Sequence, residues 1–313
     1  MSSIEQRIDE LRSDDKSGAS ELTQRSVAVL KELAESFEGD DKGEFIHYVS
    51  KWGSTLAGLH PHMSAIRCCI GGIVYGLNEH REYADVFGLR HFVYTFADDF
   101  IRDSNDNVKK IARNACEIIG DNKYKVLLTH SRSSTVREVF RQLIKIGYSV
   151  EFIVTESRGR VTRPGEETSY PFGLQTSEDL KSMGIVHKVV PDILAGHYAR
   201  KTDASIVGAD SILGDGGLVN SAGTYHIALA AHDANKPFYV ACETLKFDPS
   251  YNQSNADILL ETLNKRDVGK GHLFDITPSR YINDGRIITE IGALKQSEIA
   301  DIMTTKRKYL TAL

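Results

Sequence analysis

The sequence predicts an α/β protein: an N-terminal helical domain followed by a Rossmann-like, doubly wound parallel sheet. Three observations carry this reading. Apolar residues recur at helical spacing to about residue 118, and beyond Asn122 short β-rich runs alternate with helical stretches. The carboxyl ends of several runs carry the glycines, hydroxyls and charges that suit the ligand end of such a sheet. The boundary falls near residue 120, giving a helical domain over 1–120 and an α/β domain over 121–313 that holds the pocket.

In the first half, Leu30, Leu33, Ala34 and Phe37 form one stripe and Phe45, Val49, Trp52 and Leu56 a second. Ile66, Cys69, Ile70, Ile73, Val74 and Leu77 form a third. Residues three and four apart share one helical face, so the stripes are core rather than cofactor contacts. His60-Pro61 ends the second helix, because proline disfavours helical backbone in the residue before it. The polar segment 102–107 either breaks a long helix or covers its exposed face.

In the second half, strands are predicted at 125–129, 151–155, 185–190, 204–208, 238–241 and 286–289. The helix after the first strand places Val136, Val139, Phe140, Leu143 and Ile144 on one face. The alanine-rich stretch 223–234 suits a tightly packed crossover helix, and the polar stretch 248–257 reads as a mobile loop.

Composition bounds the function. The 313 residues are 41% hydrophobic and 26% charged with a net charge of −5, which gives no general attraction for nucleic acid or anionic membrane. Cys68, Cys69, Cys116 and Cys242 show no C-x-x-C spacing, so reduced thiols are expected, with no metal and no cofactor. The charged N-terminus lacks the apolar core of a signal peptide and no apolar run reaches membrane length, which predicts a cytoplasmic protein without a membrane partner.

Three loops carry candidate chemistry. The first, 129–135, holds five hydroxyl residues with His130 and Arg132 before an amphipathic helix; hydroxyls such as Ser131 and Ser133, with free N–H groups at a helix start, suit a phosphate. Capping alone would need one of those hydroxyls. The second, 155–163, carries Arg158, Arg160 and Arg163; Arg158, nearest the strand, is the favoured phosphate clamp, against a reading of ordinary solvated charges. The third runs from apolar residues into Asp210, then a glycine-rich turn, then a helix start at Gly223-Thr224 whose N–H groups can hold an anion. Asp210 is a candidate general acid/base or a ligand of sugar hydroxyls.

The order of these loops after a helical domain resembles the translation initiation factor 2B α/β/δ-subunit family, which includes methylthioribose-1-phosphate isomerase and archaeal ribose-1,5-bisphosphate isomerase. The resemblance covers most of the chain. It is strongest in Leu128-Thr-His-Ser-Arg-Ser-Ser-Thr-Val136, Val154-Thr-Glu-Ser-Arg158, Gly208-Ala-Asp-Ser-Ile212, Val219-Asn-Ser-Ala-Gly-Thr224, the stretch 236–247, and Phe274-Asp-Ile-Thr-Pro278. Lys16-Ser-Gly-Ala-Ser20 and His60-Pro-His-Met63 are weaker counterparts of the isomerases' arginine-containing motifs.

The resemblance implies an acid/base pair at Ser131 and Asp210, where the isomerases use a cysteine and an aspartate. It implies substrate contacts at Lys16, Gly18, Asn220, Ser221 and Lys246, beside Arg132, Ser133, Arg158 and Arg160 from the loops. This chain departs from the isomerase pattern at Ser131 for cysteine, Ser221 for the lysine of Asn-Lys-x-Gly-Thr, Gly159 for proline, and Lys16-Ser17 for Arg-Gly. A thiol titrates near 8.5, whereas a serine hydroxyl needs a separate base for the same proton transfer. His130 is a poor base for Ser131 unless the strand has already ended, because neighbouring strand side chains point to opposite faces. The expected function is therefore binding of a phosphorylated sugar or nucleotide-derived metabolite in a translation-factor-like or regulatory role. The alternative is aldose–ketose isomerisation of a C1-phosphorylated pentose. The implied partners are a homo-oligomer formed through the C-terminal domain and initiation factor subunits.

Overall fold

The computed structural model describes residues 4–14, 17–61, 63–82, 85–163, 166–266, 273–282 and 285–313, without the side chains of 159–163, 166–171 and 262–266. Five helices open the chain: α1 (Ile4–Ser13), α2 (Ala19–Ser36), α3 (Lys42–Ala57), α4 (Ser64–His80) and α5 (Val86–Asp121). The three apolar stripes meet in one core, where Leu30, Leu33, Phe45, Val49, Leu56, Ile66, Ile70 and Ile73 are buried, with Phe37 and Trp52 at its edge. The Asp41 carboxylate caps α3 by accepting from Glu44 N at 2.8 Å, and the helix stops at Ala57, short of Pro61. α5 is unbroken through 102–107, whose polar side chains lie mostly on its exposed face around the buried Ser104. At about 1.5 Å per residue it spans roughly 54 Å and serves two cores. Leu89, Val93 and Ala97 pack among the helices, while Ile111, Ala115, Cys116 and Ile119 pack against the sheet.

Seven strands form the main sheet: β1 (Val126–Thr129), β2 (Glu151–Thr155), β5 (His187–Val190), β6 (Ala204–Val207), β9 (Phe238–Ala241), β12 (Ile287–Thr289) and β13 (Gly292–Leu294). The order is β13-β12-β9-β6-β1-β2-β5, parallel throughout except for the β12–β13 pair. The six predicted strands are its parallel members. Apolar runs such as Phe152-Ile-Val154 and Tyr239-Val-Ala241 are buried because helices cover both faces. These are α6 (Ser134–Lys145), α7 (Phe172–Ser182), α8 (Ala195–Ala199), α9 (Thr224–Asp233) and α11 (Gln296–Leu310). α6 buries Val136, Val139, Phe140 and Leu143, but Ile144 is 44% exposed because it falls past the edge of that face.

Three features differ from the expected pattern. Residues 158–163 and 166–171 pair as antiparallel strands β3 (Arg158–Arg163) and β4 (Glu166–Pro171) rather than lying in a loop. The glycine-rich stretch is the turn of a hairpin, β7 (Ser211–Leu213) with β8 (Leu218–Ser221), in a four-stranded sheet with β10 (Phe247–Asp248) and β11 (Phe274–Thr277). Gly216 takes φ +83° there, and two strands thus separate Asp210 from the start of α9. Residues 250–255 form turns held by Asn252 and Asn255 and lead into α10 (Ala256–Arg266). No helix among the described residues is long and apolar enough to cross a membrane.

Candidate functional site

The chain leaves β1 toward β2 and β5 on one side, and leaves β6 toward β9 and β12 on the other. The β1–β6 boundary is thus the switch point where crossovers diverge and a crevice opens at the strands' carboxyl ends. Ser133 ends the loop after β1 by capping α6, its hydroxyl accepting from Val136 N at 3.3 Å. Gly208 ends β6 directly against it, and a Cβ at 208 would lie 2.5 Å from Ser133 Oγ. Only glycine lets these loops touch.

Ser131 holds a left-handed backbone at φ +65°, uncommon for a residue with a side chain. Its carbonyl accepts from the Thr176 hydroxyl at 2.8 Å, and its hydroxyl is hydrogen-bonded to the Ser221 hydroxyl at 2.7 Å. Ser131 and Ser221, which the sequence resemblance sets at the isomerases' cysteine and lysine positions, therefore pair with each other.

β1 ends at Thr129, so the strand-alternation argument no longer separates His130 from Ser131; other bonds do. The His130 ring is buried, with Nε2 3.0 Å from Ala222 O and Nδ1 2.6 Å from Thr155 Oγ1. A carbonyl only accepts, so Nε2 carries the proton and Nδ1 accepts from the threonine. Burial lowers its pKa, favouring this neutral form. Gly223, at φ +109°, lies under the ring; a Cβ there would sit 3.0 Å from Cε1. His130 is thus tied to other loops and has no nitrogen left to serve Ser131.

Asp210 follows β6, its N–H donating to Val219 O at 2.9 Å. The carboxylate is half-buried and makes no hydrogen bond to a described residue. Burial raises its pKa, and the Lys246 ammonium pulls it back. Lys246, itself buried, donates to Ala209 O at 2.6 Å. Beside it Glu243 accepts from Ser104 of α5 at 3.2 Å and Ser20 of α2 at 3.4 Å, closing the crevice against the helices. Burial raises the Glu243 pKa too.

Two other places suited to an anion are filled by the chain itself. The N–H groups of Ser157 and Arg158, after β2, donate to Asp192 at 2.7 and 3.1 Å. At the start of α9, Gly223 N and Tyr225 N donate to Asp275 Oδ2 at 2.7 and 3.1 Å. Burial nevertheless raises the Asp275 pKa to about 6, outweighing those amides.

Ser131 and Ser221 are hydrogen-bonded, Ser133 lies against Gly208, and Lys246 donates to the carbonyl of Ala209, the residue before Asp210. Asn220 donates to Thr224 Oγ1 at 3.0 Å, fixing the turn into α9. Gly18 caps α2 with open space where a side chain would stand, two residues before Ser20. Arg158 reaches Glu156 at 3.0 Å and is half exposed, and Arg132 points to Asp179 at 3.4 Å and Gln175 at 3.3 Å. Arg160 pairs with Ser169 across β3 and β4 and its side chain lies outside the described residues, as does all of Lys16. Glu243 and Ser20 lie within stretches that carry the resemblance without standing out as site residues, and Ser104 has no signal, since a lone helix serine fits no spacing rule.

A helical region against a doubly wound sheet, with hydroxyls, a carboxylate and a lysine at its switch point, defines a Rossmann-like α/β fold. Residues 15–296 match the model of the initiation factor 2 subunit family, and the chain belongs to that family. A relative from Pyrococcus abyssi, named as an eIF-2B subunit 2-like translation initiation factor, is 30% identical over 291 residues, covering 91% of this chain and 94% of its own. A ribose 1,5-bisphosphate isomerase from Archaeoglobus fulgidus is 29% identical over 321 residues, covering 98% and 94%. The crystal structure of a Pyrococcus horikoshii translation initiation factor eIF-2B superimposes with a TM-score of 0.73 at 26% identity, covering 94% of this chain and 98% of that one.

Proposed function

We propose that this chain binds a phosphorylated pentose in the β1–β6 crevice without converting it, and acts as a metabolite-responsive, initiation factor-related protein. The hydrogen-bonded hydroxyls of Ser131 and Ser221 carry this reading. Moving a proton between adjacent sugar carbons takes an acid and a base that titrate near neutral pH. Asp210, whose pKa burial raises, can supply one of them, but two serines offer no second, and His130 is committed elsewhere. What remains is good binding chemistry: hydroxyls at the start of α6, a buried ammonium at Lys246, and a carboxylate for sugar hydroxyls. A cytoplasmic homo-oligomer joined through the α/β domain, working with initiation factor subunits, completes the proposal.

Isomerisation is the second reading, and one observation favours it. Asp210 is half-buried, makes no hydrogen bond to a described residue and is raised in pKa, the state of a carboxylate kept for proton transfer. The relatives' names fall on both sides.

The two readings part when pentose phosphates are added to the purified protein and to Ser131→Cys. Wild-type protein should melt at a higher temperature with ribose 1,5-bisphosphate or methylthioribose-1-phosphate and yield no ketose. Ser131→Cys supplies a second titrating group and should create turnover that Asp210→Asn then lowers by roughly 10²–10⁴-fold. Turnover by the wild-type protein selects the isomerase, and no ligand-induced stabilisation rejects both.

A further inference from the structure

At the opposite edge of the sheet from Asp210, beside the amino ends of β9 and β12, lies a cavity of about 170 Å³ lined in part by His232, Asn235, Lys236, Tyr281 and Arg286. Its polar groups come from two elements. His232, Asn235 and Lys236 end α9 and lead into β9; Arg286 opens β12. The Asn235 and Lys236 side chains donate no hydrogen bond to a described residue. Arg286 is held in place, its guanidinium 4.8 Å over the Tyr239 ring and bonded to the Tyr239 hydroxyl. That hydroxyl also meets the Tyr124 hydroxyl at 3.2 Å. A guanidinium oriented by stacking loses little freedom when it binds an oxyanion.

Among the described carboxylates, Asp203 accepts from Lys125 N and Val126 N at 2.7 and 2.9 Å and also feels the Lys236 charge, and Asp233 lies 3.7 Å from Arg200. Attraction of a cation to the carboxyl end of α9 accounts for Lys236. It does not account for Arg286, which another strand brings to the same cavity.

We infer that this cavity is a second anion site, distinct from the β1–β6 crevice, that takes a small phosphomonoester. Lys236 and Arg286 neutralise the dianion, and the Asn235 amide, presented by a backbone at φ +54°, donates to an ester or phosphate oxygen. A cavity of about 170 Å³ holds several waters, so there is room beyond the phosphate for part of the esterified group. α9 lies between the sites. Its ten residues, about 15 Å long, run from Thr224 beside Ser221 to Asp233 beside the cavity.

The His232 ring gives a reading specific to this site. At constant pH and ionic strength, its NMR resonances should shift to saturation on titration of the full chain with inorganic phosphate, and at lower concentration with glycerol 3-phosphate. Lys236→Gln, a change to a part-exposed side chain, should raise the midpoint at least tenfold, as should Arg286→Gln if Tyr239 keeps its packing. Lys246→Met, in the other site, should leave it within twofold. The inference is overturned by His232 resonances that do not move, by a midpoint unchanged in Lys236→Gln, by an equal rise in Lys246→Met, or by the same shift with chloride. Glycerol 3-phosphate binding no tighter than phosphate overturns the ester.

Discussion

The loops after β1 and β6 and those after β2 and before α9 share one edge of the fold and offer much the same chemistry: hydroxyls, glycines and N–H groups at strand ends. In the second region the chain supplies its own anions, Asp192 for the amides of Ser157 and Arg158 and Asp275 for those opening α9. In the first, among the described residues, the Asp210 carboxylate has no hydrogen-bond partner and the Lys246 ammonium donates only to the Ala209 carbonyl. Donors at a strand end become a ligand site only where the fold has not already filled them.

The filled region is built as structure, and the largest effect should come from disturbing its fit. Gly173, at the start of α7, donates to Glu156 O at 3.0 Å, and a Cβ there would sit 1.8 Å from Thr155 O. Backbone cannot move aside as a side-chain tip can. Gly173→Ala should lose about 3 kcal/mol in denaturant unfolding, and a loss under about 1 kcal/mol would show that this packing is loose.

Asp275 tests whether self-filling carries a penalty. Its folded pKa of about 6 lies above the ordinary 3.8, so its contribution is fully present below pH 3.8 and is lost as pH rises through 6. At about 1.36 kcal/mol per unit the loss is roughly 2–3 kcal/mol by pH 7. Asparagine keeps the acceptor without the charge. Asp275→Asn should match wild type near pH 4 and exceed it in stability at pH 7, whereas parallel pH profiles would contradict the desolvation argument.

The smallest effect turns one region into the other. Asp192→Ala should cost about 1–2 kcal/mol by leaving two N–H groups unpaired, and inorganic phosphate should restore part of that in a thermal melt. A variant indifferent to phosphate would mean that the loop holds its carboxylate for shape alone.

Much of this architecture was legible in the sequence, for physical reasons. Parallel strands covered on both faces read as short apolar runs, so all six appeared near their observed limits, and helix faces such as Val136, Val139, Phe140 and Leu143 appeared through their spacing. The β3–β4 pair did not, because Arg-Gly-Arg-Val-Thr-Arg opposite Glu-Glu-Thr-Ser-Tyr-Pro has no apolar alternation to mark it. The filling of the anion positions was invisible for another reason. Asp192 acts across 35 residues and Asp275 across 52, and no local rule links a carboxylate to amides so far away. The Ser131–Ser221 contact spans 90 residues, and only the folded chain shows that the two substitutions meet.

The central claim is that the open crevice holds a pentose phosphate without turning it over. A phosphorus NMR time course of ribose 1,5-bisphosphate mixed with stoichiometric protein tests it most directly. The account predicts that the ligand's resonances broaden or shift at once and that no ketose bisphosphate signal grows, even over many hours. Steady growth of that signal, or ligand resonances identical with and without protein, would contradict it.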